Sequence, residues 1–209
     1  MVYIRGHAAD YDSWRQQGNV GWGYEDVLPY FKKSMNQERG EDDYHGVGGP
    51  LNVKDGNSKM PIHRQFIDAG IEAGYPFNPD FNGAEQEGVG PIQLTKVGNK
   101  RCSAARGYLT PIMNRNNLTI ETDARLTRIV LEDGRATGVE YLHKGVVKKA
   151  KASREVLLCA GAVQSPQLLK LSGIGNAEEL GSHGIDCLHD LPGVGEILQD
   201  HLEIVVQFH

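Results

Sequence analysis

The sequence predicts an α/β fold, α+β in part: a strand, turn and helix of the doubly wound kind with a β-meander. Three observations predict it. Val156-Leu157-Leu158-Cys159-Ala160 is short, uncharged and non-alternating, the pattern of a strand buried on both faces of a parallel sheet. A single glycine separates it from a helix-like segment in which Ser165-Pro166 reads as N-cap and first helical residue, and Gly173 as the C-cap glycine. Upstream, NLTIET (117–122), RLTRIVLED, ATGVEYL (136–142) and VVKKAKA read as four β segments. Turn signals at Asp133-Gly134 and Lys144-Gly145 join the last three as hairpins.

The remaining elements are read from the N-terminus. MVYIRGHAADYDSW reads as a strand followed by a polar loop, as if the chain opened in mid-fold. From Trp14 to about Gly56 the chain is loop-rich, with one helix near Tyr24 to Met35. Pro61 opens a better helix, PIHRQFIDAGIEAGY, whose Ile62, Phe66, Ala69, Ile71 and Ala73 fall near one face. The loop NPDFNGAEQEGVG leads into an alternating strand, Ile92 to Val97, and a Gly98-Asn99 turn. Ser103 is placed to cap a short helix that Pro111 limits.

Composition narrows the function. With 209 residues, 39% hydrophobic and 23% charged, the chain can build a core. A net charge of −5 without a polybasic run leaves no electrostatic footprint for nucleic acid. No apolar stretch approaches the roughly 20 residues of a membrane-spanning helix, and no signal-peptide pattern opens the chain. Three widely spaced cysteines, Cys102, Cys159 and Cys187, suggest neither disulfide framework nor zinc site and fit a reducing cytosol. The expected location is cytoplasmic, with peripheral membrane association left open. Glycine makes up 26 of the 209 residues, above its usual share of about 7%, so many backbone positions need tight turns or close approach.

Several chemistries lack their residues. His183, His189 and His201 are not at metal-ligand spacing, and no carboxylate completes a set, so no metal is expected. Asp80 with Asn82-Gly83 has the beginnings of a calcium loop, but the later ligands are out of register and a turn is the better reading. No Gly-x-Ser-x-Gly elbow supports hydrolase chemistry. What remains is the strand, glycine and helix N-terminus around Ala160-Gly161, an arrangement that often receives phosphate.

The run GAVQSPQLLKLSGIG (161–175) resembles the second signature of the glucose-methanol-choline flavoprotein oxidoreductases. NPDFNGAEQEGVGP, RCSAARGYL, NLTIETDARLTRI and LPGVGEILQDHLE also resemble family blocks, in the family's order, and the likeness covers essentially the whole chain. DYHGVGGPL and QDHLE most resemble the choline dehydrogenase branch. The family's opening Gly-x-Gly-x-x-Gly turn is not in these residues, and its catalytic histidine lies well beyond a QDHLE block. The chain is therefore expected to be the middle of such an enzyme, with no catalytic residue of its own.

The resemblance implies FAD as cofactor, makes the fold an incomplete FAD-binding doubly wound domain with β-meander plus part of the antiparallel-sheet substrate domain, and divides the chain. Residues 1–55 are expected to be loops and a helix covering FAD, 56–112 part of the substrate-binding domain, and 113–200 a portion of the FAD-binding domain with meander, buried strand and helix. Residues 201–209 are expected to begin a substrate-domain strand. Ala160 and Gly161 would lie beside the diphosphate and ribose, where a plain strand-to-helix turn is the alternative. Leu126 would read the adenine edge through its backbone while packing its side chain in the sheet. Met1 and Val2 would line the isoalloxazine ring.

Glu203 would face the trimethylammonium group of choline, its alternative being an exposed glutamate on a strand edge. The activity implied is oxidation of choline to betaine aldehyde, with hydride passing to the flavin and electrons leaving to an unidentified acceptor. The alternatives are another primary alcohol as substrate, or an inactive fragment acting at most as a weak binding module.

Overall fold

The computed structural model describes residues 1–56, 58–200 and 202–205. His201 and residues 206–209 of the expected substrate-domain strand therefore lie outside the described residues. Two compact units divide the chain, residues 1–119 and 120–209.

The first unit opens with strand β1 (Val2–Tyr3). Where the sequence suggests a polar loop there is instead helix α1 (Ala8–Gln16). Its signal is a capping box: His7 Nδ1 accepts from Ala9 N–H at 3.1 Å, and Asp10 accepts from the His7 backbone N–H at 2.9 Å. Helix α2 (Tyr24–Ser34) starts with only half of that device, Asp26 accepting from Gly23 N–H, because glycine has no side chain to cap with. Tyr11 meets both Trp14 and Phe31 edge-on, with ring centroids 5.5 and 5.9 Å apart, which ties α1 to α2.

Strands β2 (Met35–Gln37) and β3 (Leu51–Asp55) pair in parallel. Helix α3 (Pro61–Glu72) starts at its proline, as the sequence predicts. Strand β4 (Gln93–Val97) turns through Gly98, at φ +54°, into β5 (Lys100–Arg101). The sheet runs β1-β4-β3-β2, with β5 also on β4. A π-type turn at Ala105–Leu109 runs into a 3-10 turn at Thr110–Ile112, and Ser103 Oγ caps it by accepting from Arg106 N–H. Met35 and Val53 are fully buried beside buried polar groups, His45, Gln37, Gln93, Asn78 and Asn82 among them.

The second unit is built on the antiparallel meander β6 (Ala124–Glu132), β7 (Arg135–His143) and β8 (Val146–Lys151). Its turns put Asp133, Gly134, Lys144 and Gly145 at positive φ, as the hairpin signals predict. Helix α4 (Gly161–Leu171) follows, ending at Gly173 with φ +82°. Strand β9 (Ile174–Gly175), helix α5 (Ala177–Ser182) and strand β10 (His189–Asp190) complete the unit, β9 and β10 pairing in parallel. Lys170 on α4 meets the Glu179 carboxylate of α5 at 2.7 Å. Ser172 Oγ accepts from Ile129 N–H at 2.8 Å and donates to Leu168 C=O, fixing the end of α4 against β6.

Three expectations need correction. Residues 117–122 form no strand, and residues 156–160, expected as a buried strand, have no regular secondary structure and no strand partner, with Leu157 76% exposed. Alternation and apolar runs show fitness for a sheet, but a strand exists only with a hydrogen-bonding neighbour, and neither segment has one among the described residues. Helix α4 begins at Gly161, not at Ser165-Pro166, because the backbone turns at Gly161, φ +90°. Among the described residues no helix is long and apolar enough to cross a membrane.

Candidate functional site

Meander and helix border an open cleft of about 780 Å³ in the second unit. One wall is four consecutive residues of β6, Ala124–Thr127; β6 is an edge strand of the meander. The facing wall is the irregular run Leu157–Ala160 and the first turns of α4, with Gln164 and Gln167. Its size suits a cofactor-sized ligand.

Two local features aim this cavity at a polar, anionic molecule. The N-cap of α4 is Ala160, which makes no side-chain capping bond, so the N–H groups of an 11-residue helix start without a protein side-chain cap. Gly161 takes φ +90°, a conformation that disfavours any Cβ, and nothing lies within 4 Å of where its Cβ would be. The helix start therefore opens onto free space. Across the cavity, the register of β6 slips between Leu126 and Arg128, a bulge that interrupts the ladder beside Leu126.

Of the residues singled out by sequence, Leu126 and Ala160 thus line one cavity, and Gly161 opens the helix at its wall. Met1 and Val2 belong to the first unit, where Val2 pairs with Leu94 and Met1 C=O accepts from Thr95 N–H at 2.8 Å. Both are about half exposed. Glu203 is exposed, on a stretch without regular secondary structure, and makes no ion pair with a described residue. Sequence reasoning missed Arg125 and Gln164. The signal for Gln164 is its spacing, one turn into the helix from Gly161, and Arg125 simply neighbours Leu126.

Sequence also missed a buried polar network in the first unit. His45 is 1% exposed. Its Nδ1 lies 2.8 Å from Asp42 Oδ1, and its Nε2 lies 3.2 Å from Asp80 Oδ2, within ion-pair range but poorly aligned for a hydrogen bond. Arg39 bridges Asp55 at 2.8 Å and approaches Asp80 at 3.8 Å. Asp80 also accepts from Asn82 N–H and Gln93 Nε2. The would-be calcium loop is thus a turn whose carboxylate serves His45, and among the described residues no cluster could hold a metal ion.

Burial drives the His45 pKa down, but the Asp80 and Asp42 carboxylates outweigh it and hold the imidazole above its ordinary 6.5. Burial likewise pushes both aspartates up. The adjacent His45 imidazole and backbone N–H donors win, so both sit below the ordinary 3.8.

Comparison with known proteins places the chain in a family. The chain is 53% identical over 214 aligned positions to an oxygen-dependent choline dehydrogenase of Chromohalobacter salexigens, covering 100% of this chain and 38% of that protein. It is 49% identical over 207 residues to human mitochondrial choline dehydrogenase, covering 99% of this chain and 35% of that protein. The chain therefore spans little more than a third of the length of these relatives. An FAD-dependent oxidoreductase from Chaetomium thermophilum superposes with a TM-score of 0.85 at 31% identity, over 92% of this chain and 36% of that one. With the GMC oxidoreductase family model matching residues 1–203, the chain belongs to the glucose-methanol-choline (GMC) oxidoreductases.

Proposed function

We propose that this chain supplies part of the FAD-binding wall of an enzyme that oxidises choline to betaine aldehyde. The observation that carries the reading is the meeting of Leu126 and Ala160-Gly161 around one cavity. Those residues fit FAD. An edge strand offers backbone N–H and C=O to a flat base, and an uncapped helix start with an open glycine offers N–H donors to a phosphate. When bound, FAD supplies the hydride acceptor.

In this reading Leu126 holds the adenine edge through its backbone, Ala160 and Gly161 hold the ribose and diphosphate, and Met1 and Val2 border the flavin ring. Glu203 balances the permanent charge of choline. Residues 1–55 cover the cofactor, 56–112 contribute to the substrate domain and 113–200 to the FAD domain. The choline assignment rests on the two relatives at about half identity. The full-length protein then works as a cytoplasmic or membrane-peripheral enzyme that passes electrons to a separate acceptor.

Anaerobic mixing of the full-length flavoenzyme with choline tests the substrate. Rapid bleaching of the oxidised flavin by choline, with slow or no bleaching by uncharged primary alcohols, is expected. Bleaching by an uncharged alcohol alone would overturn the choline assignment and leave the FAD assignment standing.

A further inference from the structure

The first unit holds a buried cation with no counterion. Arg5 is 6% exposed, yet no carboxylate lies within 4 Å of its guanidinium among the described residues. Its neighbours are neutral: one terminal nitrogen donates to Tyr44 C=O at 2.9 Å, the other to Asn82 C=O, and Phe31 presents its ring face 5.7 Å from Cζ. A guanidinium has five N–H donors, so these contacts leave three uncommitted. Charged side chains are seldom buried unless paired, and ring and carbonyl dipoles offset only part of the lost hydration.

A cavity of about 210 Å³ opens beside Arg5, and none of the residues lining it is Asp or Glu. His7, Tyr24 and Tyr44 line it too. Because His7 Nδ1 accepts the Ala9 N–H, the neutral ring carries its proton on Nε2, a further donor. Neither the Tyr24 nor the Tyr44 hydroxyl bonds to a described residue. Gly6, His7 and Ala8 bring the positive end of α1 to the wall. The nearby Asp10 carboxylate is committed to His7 N–H at 2.9 Å and is not part of the wall.

We infer that this cavity is an oxyanion site, built to receive a carboxylate-sized anion on Arg5, Tyr24 and Tyr44. All its lining residues belong to the first unit. A carboxylate is the matching chemistry, since the guanidinium fork engages two oxygens at once and the tyrosines donate from the side. The carboxylate comes from one of two sources: a free small acid, or an Asp or Glu side chain of the remaining polypeptide of the full-length enzyme.

The test uses full-length flavoenzyme and sodium formate at constant ionic strength, with sodium chloride as control, reading the thermal midpoint. A free-acid site gives a saturable rise with formate. Tyr44→Phe removes a donor without touching a protein hydrogen bond and is expected to weaken the formate response about tenfold. Tyr24→Phe serves as the second variant should Tyr44→Phe fold poorly.

If the source is the protein itself, formate has no effect and the crystal structure of the full-length enzyme shows an Asp or Glu carboxylate on Arg5. Two results would overturn the inference. One is a formate response unchanged in both tyrosine variants. The other is no formate response together with only water in the cavity.

Discussion

His45 Nε2 lies 3.2 Å from Asp80 Oδ2, joining the Asp42–Gly49 loop to the turn before β4. With Asp42 on the other ring nitrogen, the imidazolium sits between two carboxylates, and its stability contribution depends on pH with a definite sign. A histidine whose folded pKa is raised contributes fully below its unfolded value near 6.5 and loses that contribution as pH rises through the folded pKa. The two aspartates, with folded values below 3.8, contribute above that pH and fail only as acid reaches their lowered values. The network is therefore strongest between about pH 4 and 6.5. Urea unfolding of wild type and His45→Gln across pH 5 to 9, at about one-unit steps, is expected to show a stability difference that shrinks as pH rises. A constant difference would mean His45 acts through packing alone.

Ser172 is the hinge between α4 and β6. It is 5% exposed and its Oγ is the partner of Ile129 N–H. Ser172→Ala leaves that buried N–H without a partner, at a cost of about 1–3 kcal/mol. Chemical denaturation of the full-length enzyme measures it, and an unchanged midpoint would show that water or a backbone shift replaces the hydroxyl.

Gly90 shows why the glycine content is high. A Cβ there would sit 1.7 Å from Asn78 C=O, in a loop also closed by the 2.9 Å bond from Asn78 N–H to Val89 C=O. Gly90→Ala cannot be absorbed by a side-chain rotation and is expected to cost about 3 kcal/mol or more. Soluble yield and thermal midpoint check it. A variant as stable as wild type would mean the 78–90 loop can open without loss.

How legible this was depended on where each residue finds its partner. Local signals held: Pro61 starting α3, Asp133-Gly134 turning the meander and Gly173 closing α4 are decided within a few residues. Residues 117–122 and 156–160 misled because strand formation is decided by a neighbour that periodicity cannot see. Helix α1 escaped notice because histidine is an uncommon N-cap, although Asp10 three residues on completes its box. The residues proposed for FAD come only from the family resemblance. Leu126 acts through backbone in that reading, and no side-chain pattern marks it. The Asp42–His45–Asp80 network joins segments 35 residues or more apart in sequence and was invisible to any local rule.

Glu203 gives the sharpest prediction about specificity. Choline keeps its charge at every pH, so Glu203→Gln preserves shape and removes only the balancing charge. At an effective dielectric of about 20, a pair about 4 Å apart is worth roughly 4 kcal/mol before desolvation. A rise in KM on the order of a hundredfold is then expected, with a smaller fall in kcat. The uncharged isostere 3,3-dimethylbutanol should be nearly indifferent. Steady-state kinetics of both substrates on both full-length proteins decide it, and equal losses would show that Glu203 acts structurally.

Whether the cavity between β6 and α4 is a wall of the FAD site is decided by the crystal structure of the full-length enzyme with FAD. The expected result is the adenine edge within hydrogen-bond distance of the Leu126 backbone, with ribose and diphosphate against Ala160 and Gly161 at the start of α4. FAD bound elsewhere, with this cavity filled by polypeptide, would contradict it.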